Sequence, residues 1–237
     1  MPGQIYVETM VHAADEELWH RTQDADQHTR WDLRFTRISD VTEQTVGAPR
    51  TFAYELRLPG LVVGGTGTSV GERVRPDGTR TSALRFASPH PLSLVRSGSG
   101  WWRYVPDGRG GTRFLTGYDY TPGWGRLGTV VDRSGFRALV GWMTAWSFDR
   151  LRLWLDEGVT PKSAVRRWTL DTALRAATVA VATRRRGVLG AGLTALALLA
   201  PDVPGTPRAR RCLRTPPGSD PHARSAPSTL STLREPS

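Results

Sequence analysis

The chain has 237 residues, 32 Lys or Arg against 22 Asp or Glu, and a formal net charge of +10 at pH 7. Residues 1–160 carry 19 Arg, no Lys and 18 acids, while residues 161–237 carry 13 cations and four acids, so the excess belongs to the C-terminal third. A near-neutral body excludes the basic footprint of a nucleic-acid-binding domain, and one cysteine, Cys212, excludes a disulfide framework or a Cys-rich zinc site.

The chain opens with an alternating segment, Gln4 to His12, that predicts a strand with Ile5, Val7, Thr9 and Val11 on one side. Its first twenty residues include Glu8, Asp15, Glu16 and Glu17 and no apolar stretch, so no signal peptide is expected. Ala14 to Arg21 predicts a short helix with acids in its first turn. Asp24 to Arg30 predicts a second short helix or turn leading to Trp31. Six more strands follow: Phe35–Val41, Arg50–Leu58, Leu61–Val74, Thr79–Ser88, Leu92–Val105 and Thr112–Thr121. Pro59-Gly60, Pro76-Asp77-Gly78, Pro89-His90-Pro91 and Pro106-Asp107-Gly108 supply the turns, which implies an antiparallel meander. The glycines from Gly64 to Gly71 lie among Thr and Val with no helix after them; they predict a bent or bulged strand, not a phosphate cradle.

Residues 126–157 then form one long helical pattern. Leu127, Val131, Gly135, Ala138, Trp142, Ala145, Asp149 and Leu153 recur at steps of three or four and predict its buried face. Arg126, Arg133, Arg137 and Thr144 predict its wet face. Gly158 and Pro161 stop it.

Strand, two short helices, a six-strand meander and a long helix is an unusual order, and it resembles the START/SRPBCC superfamily. The stretches that carry the resemblance are Val7-Glu8-Thr9-Met10-Val11-His12-Ala13 followed by Glu17-Leu18-Trp19, then His28-Thr29-Arg30-Trp31-Asp32, then Gly111-Thr112-Arg113-Phe114. It covers residues 3–158. It implies an α+β helix-grip fold, a curved antiparallel sheet of about seven strands wrapped on the long helix. It also implies a cavity between the two that binds a lipid, polyketide or aromatic metabolite. Some members of the superfamily catalyse cyclisation or dehydration in that cavity; others only bind.

The candidate lining is aromatic: Trp19, Trp31, Trp102 and, on one face of the last strand, Phe114, Tyr118 and Tyr120. Tyr54 lies on the aliphatic face of its strand with Phe52, Leu56 and Leu58, opposite Glu55 and Arg57, and Phe86 completes the set. Trp101 and Trp102 are adjacent in a strand, so only one can face inward. From the helix, Ala138, Trp142 and Asp149 are candidates. Ordinary core packing is the alternative for each aromatic residue. For Asp149 the alternative is an internal ion pair with an arginine. The small residues Gly135, Ala138, Gly141 and Ala145 either leave room for a ligand or let helix and sheet approach closely. The five histidines show no metal-ligand spacing, and there is no nucleophile elbow or P-loop, so neither metal nor cofactor is expected.

Beyond this first domain, 1–160, Ser163 to Thr183 predicts a basic amphipathic helix. Arg184-Arg185-Arg186 then introduce the apolar segment 188–200, 13 residues and too short to span a bilayer. Residues 161–200 thus form a helical extension, with an anionic membrane surface, a second copy or the domain itself as its partner. Eight prolines from Pro201 onward predict a disordered tail over 201–237. Three functions follow: binding of a hydrophobic small molecule, polyketide cyclisation with Tyr118, Tyr120 or Asp149 moving protons, and membrane-surface interaction through the basic tail. Cytoplasmic placement, free or at a membrane surface, is expected. The oligomeric state is open.

Overall fold

The sheet begins with β1 (Ile5–Val11), whose inward positions Val7 and Val11 are fully buried. Then come α1 (Asp15–Gln23) and α2 (Ala25–Trp31). Asp24 separates the two helices, and its side chain caps the second by accepting from the Gln27 N–H at 2.8 Å. The meander comprises β2 (Arg37–Asp40), β3 (Arg50–Leu58), β4 (Leu61–Val74), β5 (Arg80–Ala87), β6 (Val95–Pro106) and β7 (Thr112–Pro122). All seven strands form one antiparallel sheet in the order β1-β7-β6-β5-β4-β3-β2. The computed structural model describes residues 4–41, 49–185, 187–218, 220–224, 226–228, 230 and 233.

After β7 the chain forms α3 (Gly125–Val131), a π-turn over Asp132–Phe136, and α4 (Arg137–Glu157). With the curved sheet, these make the helix-grip architecture that the resemblance implies. The expected single helix is broken. Gly135 adopts φ +150°, which a side chain would strongly disfavour, and kinks the rod there. Its small size therefore serves the backbone. Gly158 ends α4 with φ +65°.

The sheet-facing positions of α4 are Val140, Met143, Thr144, Phe148 and Leu151, not the stripe expected from sequence. Thr144, expected to be wet, is fully buried under Tyr118. Trp142, Ala145, Trp146 and Asp149 look the other way, toward α5 (Pro161–Arg184) and the segment after α6 (Val188–Leu199).

Residues 201–218, expected as a disordered tail, pack against the domain instead. A 3₁₀ turn at Ala209–Arg211 brings Ala209 and Cys212 into the main core beside Ala145 and Trp146. Leu213 then exchanges two backbone hydrogen bonds with Glu8, each 2.9 Å. Farther on, α7 (Pro221–Arg224) places Ala223 over Tyr6, Trp101, Val105 and Leu115, so part of the outer sheet face is covered. The physical reason is hydrogen bonding to carboxylates: Asp149 pairs with Arg211 and accepts from the Arg208 backbone N–H, and Asp220 pairs with Arg113. Residues 219, 225, 229, 231, 232 and 234–237 of the tail, and Arg186 of the basic run, lie outside the described residues.

Candidate ligand cavity

Inner-face side chains of the meander decide where the layer between sheet and helix is filled. On β6 they run Gly98, Gly100, Trp102, Tyr104, so two empty positions precede two aromatic ones. Gly98 stands opposite Phe86 and Gly67 opposite Phe52; in both places a Cβ would come within 2.4 Å of the ring. The glycines thus let each ring lie flat on the neighbouring strand. This is what the Gly64–Gly71 run does, together with a bulge between Val70 and Arg73.

The result is a cavity of about 640 Å³ under the N-terminal half of α4. Its walls are largely apolar: Phe52, Tyr54 and Leu56 from β3, Leu84 and Phe86 from β5, and Phe136, Val140 and Met143 from the helix. Leu33, Leu58, Leu92 and Leu139 line it and are also exposed, so they form its mouth.

One wall is polar. Asp32, at the end of α2, is almost completely buried and accepts from Arg34 twice, from Nε at 2.9 Å and from Nη2 at 2.7 Å. His28 Nε2 lies 3.0 Å from the same carboxylate, one helical turn away. Burial alone would raise the Asp32 carboxyl, but Arg34 and the His28 hydrogen bond outweigh it and hold it well below the usual carboxylate range. Burial would likewise lower the Arg34 guanidinium, and Asp32 beside it raises it. Arg34 sits 5.5 Å from the Tyr118 ring centre. The Tyr118 hydroxyl is 2.7 Å from Thr144 Oγ1, and Tyr120 donates to Asp132 Oδ1 at 2.5 Å. Burial pushes the Tyr54 phenol up to about 12. Burial also raises Tyr118, and burial with the Asp132 hydrogen bond raises Tyr120.

Of the residues expected from sequence, Tyr54, Phe86, Trp102, Tyr118 and Tyr120 line the cavity. The others lie elsewhere. Trp31 is solid core, stacked on His28 at 4.9 Å with its indole N–H on the Arg21 carbonyl. Phe114 stacks on Phe148 at 4.5 Å, and Trp19 lies against Tyr104 with the Arg80 guanidinium over its ring. Ala138 is exposed. Trp142 stacks beside Trp146 on the opposite face of α4. Asp149 takes the ion-pair alternative, with Arg152 and Arg211 each at 2.9 Å and the Arg208 N–H at 2.7 Å. Sequence reasoning missed His28, Asp32 and Arg34 as a polar set. Their spacing, a His and an Asp four apart on a helix with an Arg two further on, was the available signal.

Among the described residues no three of His, Cys, Asp and Glu converge to hold a metal ion, and no helix is long and apolar enough to cross a membrane. No family model matches the chain. A Bacillus subtilis (strain 168) protein, described as the uncharacterized membrane protein YndG, is 45% identical over 163 residues, covering 68% of this chain. The chain spans about 60% of the length of that relative. Solved structures match at low identity. The di-domain ARO/CYC StfQ from the steffimycin biosynthetic pathway has a TM-score of 0.49 at 16% identity, over 65% of this chain and 51% of its own. The STAR-related lipid transfer protein from Xanthomonas axonopodis has 0.48 at 16% identity, over 63% and 83%. The seven-stranded antiparallel sheet with the long C-terminal helix against it is an α+β helix-grip arrangement.

Proposed function

We propose that the protein binds a hydrophobic small molecule between the sheet and α4. The single observation that carries this is the hollow of about 640 Å³, walled by Phe52, Leu56, Leu84, Phe86, Val140 and Met143. A well-packed layer would have closed it, as it closes the neighbouring one. Cyclisation chemistry is less well supported. Asp149 lies outside the cavity, and the Tyr118 and Tyr120 phenols hold their protons at neutral pH, so neither is poised as a base. The test is titration with Nile red, an uncharged apolar dye. The protein is expected to bind it at micromolar concentration, and Val140→Trp, which fills the hollow, to weaken binding at least tenfold while unfolding stays cooperative. No dye binding by the unaltered protein would overturn the reading.

A second reading is favoured by α6. Its twelve residues include no charged side chain, yet only Gly190 and Ala197 are buried, and Val188, Leu198 and Leu199 are largely exposed. A helix apolar all round is normally covered. At about 18 Å it is too short to cross a core of ~30 Å. With Arg184 and Arg185 exposed just before it, an anionic lipid surface is the cover we favour. The naming of the Bacillus relative as a membrane protein accords with this. Flotation with phosphatidylglycerol vesicles tests it: the protein should float, and Leu198→Glu with Leu199→Glu should stay at the bottom. Equal flotation of the two would sink it.

A further inference from the structure

We infer that the ligand of this cavity is uncharged and presents an acceptor oxygen, such as an ester, ketone or alcohol, to Arg34. The inference rests on the binding reading above and narrows it to a ligand class.

Arginine at the wall of an apolar cavity would ordinarily suggest a carboxylate ligand. Here that place is taken. The Asp32 carboxylate occupies the guanidinium fork through Nε and Nη2, accepts also from the Arg34 backbone N–H at 3.0 Å, and is itself shut off from solvent. The other lining arginine, Arg50, is paired with Asp40 and donates to the Gln23 carbonyl at 2.9 Å. No carboxylate is among the described lining residues. Each cation that meets the cavity is therefore balanced from behind, and the wall carries dipoles without a free charge. An acidic ligand would enter unpaired, and so would an amine. Burying either without a counter-ion is strongly unfavourable.

What the wall still offers is hydrogen bonding. A guanidinium has five N–H groups; Asp32 takes two and the Tyr118 oxygen is a further partner, so part of the set stays open to a ligand. The phenols are committed as donors elsewhere, Tyr120 to Asp132 and Tyr54 to the Ala87 carbonyl at 3.3 Å, while Tyr118 is joined to Thr144. Their raised pKa values keep them neutral. Arg34 is thus the donor left for a ligand oxygen, with the apolar body lying on Phe52, Phe86, Val140 and Met143.

The experiment displaces Nile red from the full chain at pH 7.5 with dodecanoic acid, its methyl ester, 1-dodecanol and dodecylamine. The ester and the alcohol are expected to displace the dye at concentrations at least tenfold below the acid and the amine. Asp32→Asn frees the Arg34 charge and should shift the preference toward the acid by at least tenfold. If that variant does not fold, Arg34→Gln should weaken ester and alcohol while leaving the acid poor. Failure of the dye itself to bind would overturn the cavity reading. With the dye bound, displacement best by the acid or amine, or by none of the four, would overturn this inference alone.

Discussion

One sheet and one helix enclose two unlike interiors. Beneath the C-terminal half of α4, Trp31, Tyr104, Phe114 and Phe148 fill the layer, with Phe114 and Phe148 stacked at 4.5 Å and Tyr104 5.1 Å from Phe114. Beneath its N-terminal half, Gly65, Gly67 and Gly98 let Tyr54, Phe52 and Phe86 lie close on the sheet, and the layer between them and the helix stays open. The strand β6 crosses both, and its inner face changes from glycine to aromatic in one step between Gly100 and Trp102. Backbone architecture is shared by the two ends. Side-chain volume at a few positions separates a filled core from a hollow.

The contrast can be broken most severely at the filled end. Phe148→Ala should cost about 3–5 kcal/mol in urea unfolding, whereas Val140→Ala, bordering open space, should cost roughly 1 kcal/mol or less. Equal losses would mean that the hollow is not present in solution. Next is the charge clasp behind the helix. Asp149→Ala removes the fully buried carboxylate shared by Arg211 and Arg152, of which Arg152 keeps Glu157 at 3.0 Å, for about 2–3 kcal/mol after allowance for the partly exposed arginines. It should also speed tryptic cleavage between Arg208 and Arg211; unchanged cleavage would refute the clasp.

A smaller effect concerns acid. Asp32 has a folded pKa below its ordinary value near 4, so the unfolded chain binds the proton more readily. Its contribution is therefore complete above about pH 4 and is lost as pH falls below that. The urea midpoint should drop more between pH 6 and pH 3 in the unaltered protein than in Asp32→Asn; parallel drops would contradict the assignment. The least perturbing probe is the thiol. Burial pushes Cys212 up to about 12, so Ellman's reagent at pH 8 should react slowly in the folded protein and at once in denaturant. Immediate reaction in the native protein would place the segment 201–212 off the core.

The element order was legible because turn dipeptides and alternation are local signals. All seven strands fall where Pro-Gly, Asp-Gly and period-two patterns put them. The inward faces of β3 and β7 were legible for the same reason, which is how Tyr54, Tyr118 and Tyr120 were found. The helix face was not. Because α4 is covered on two sides, by the sheet and by α5 with residues 201–212, two apolar stripes coexist, and the one through Trp142 and Asp149 belongs to the wrong side. The kink at Gly135 then breaks the register that a continuous helix would keep. The tail misled through composition: proline-rich sequence suggests disorder, whereas Arg208, Arg211 and Cys212 each have a specific buried or charged partner in the domain.

Glu8 bonds to Leu213 while Ile5 pairs with Tyr118. The strand β1 therefore leaves the ribosome before either of its neighbours and waits for both. At about 5–20 residues per second that wait is on the order of ten seconds or more. During it the unpaired edge is open to other nascent chains or to chaperones, and such long-range closure makes for slow maturation.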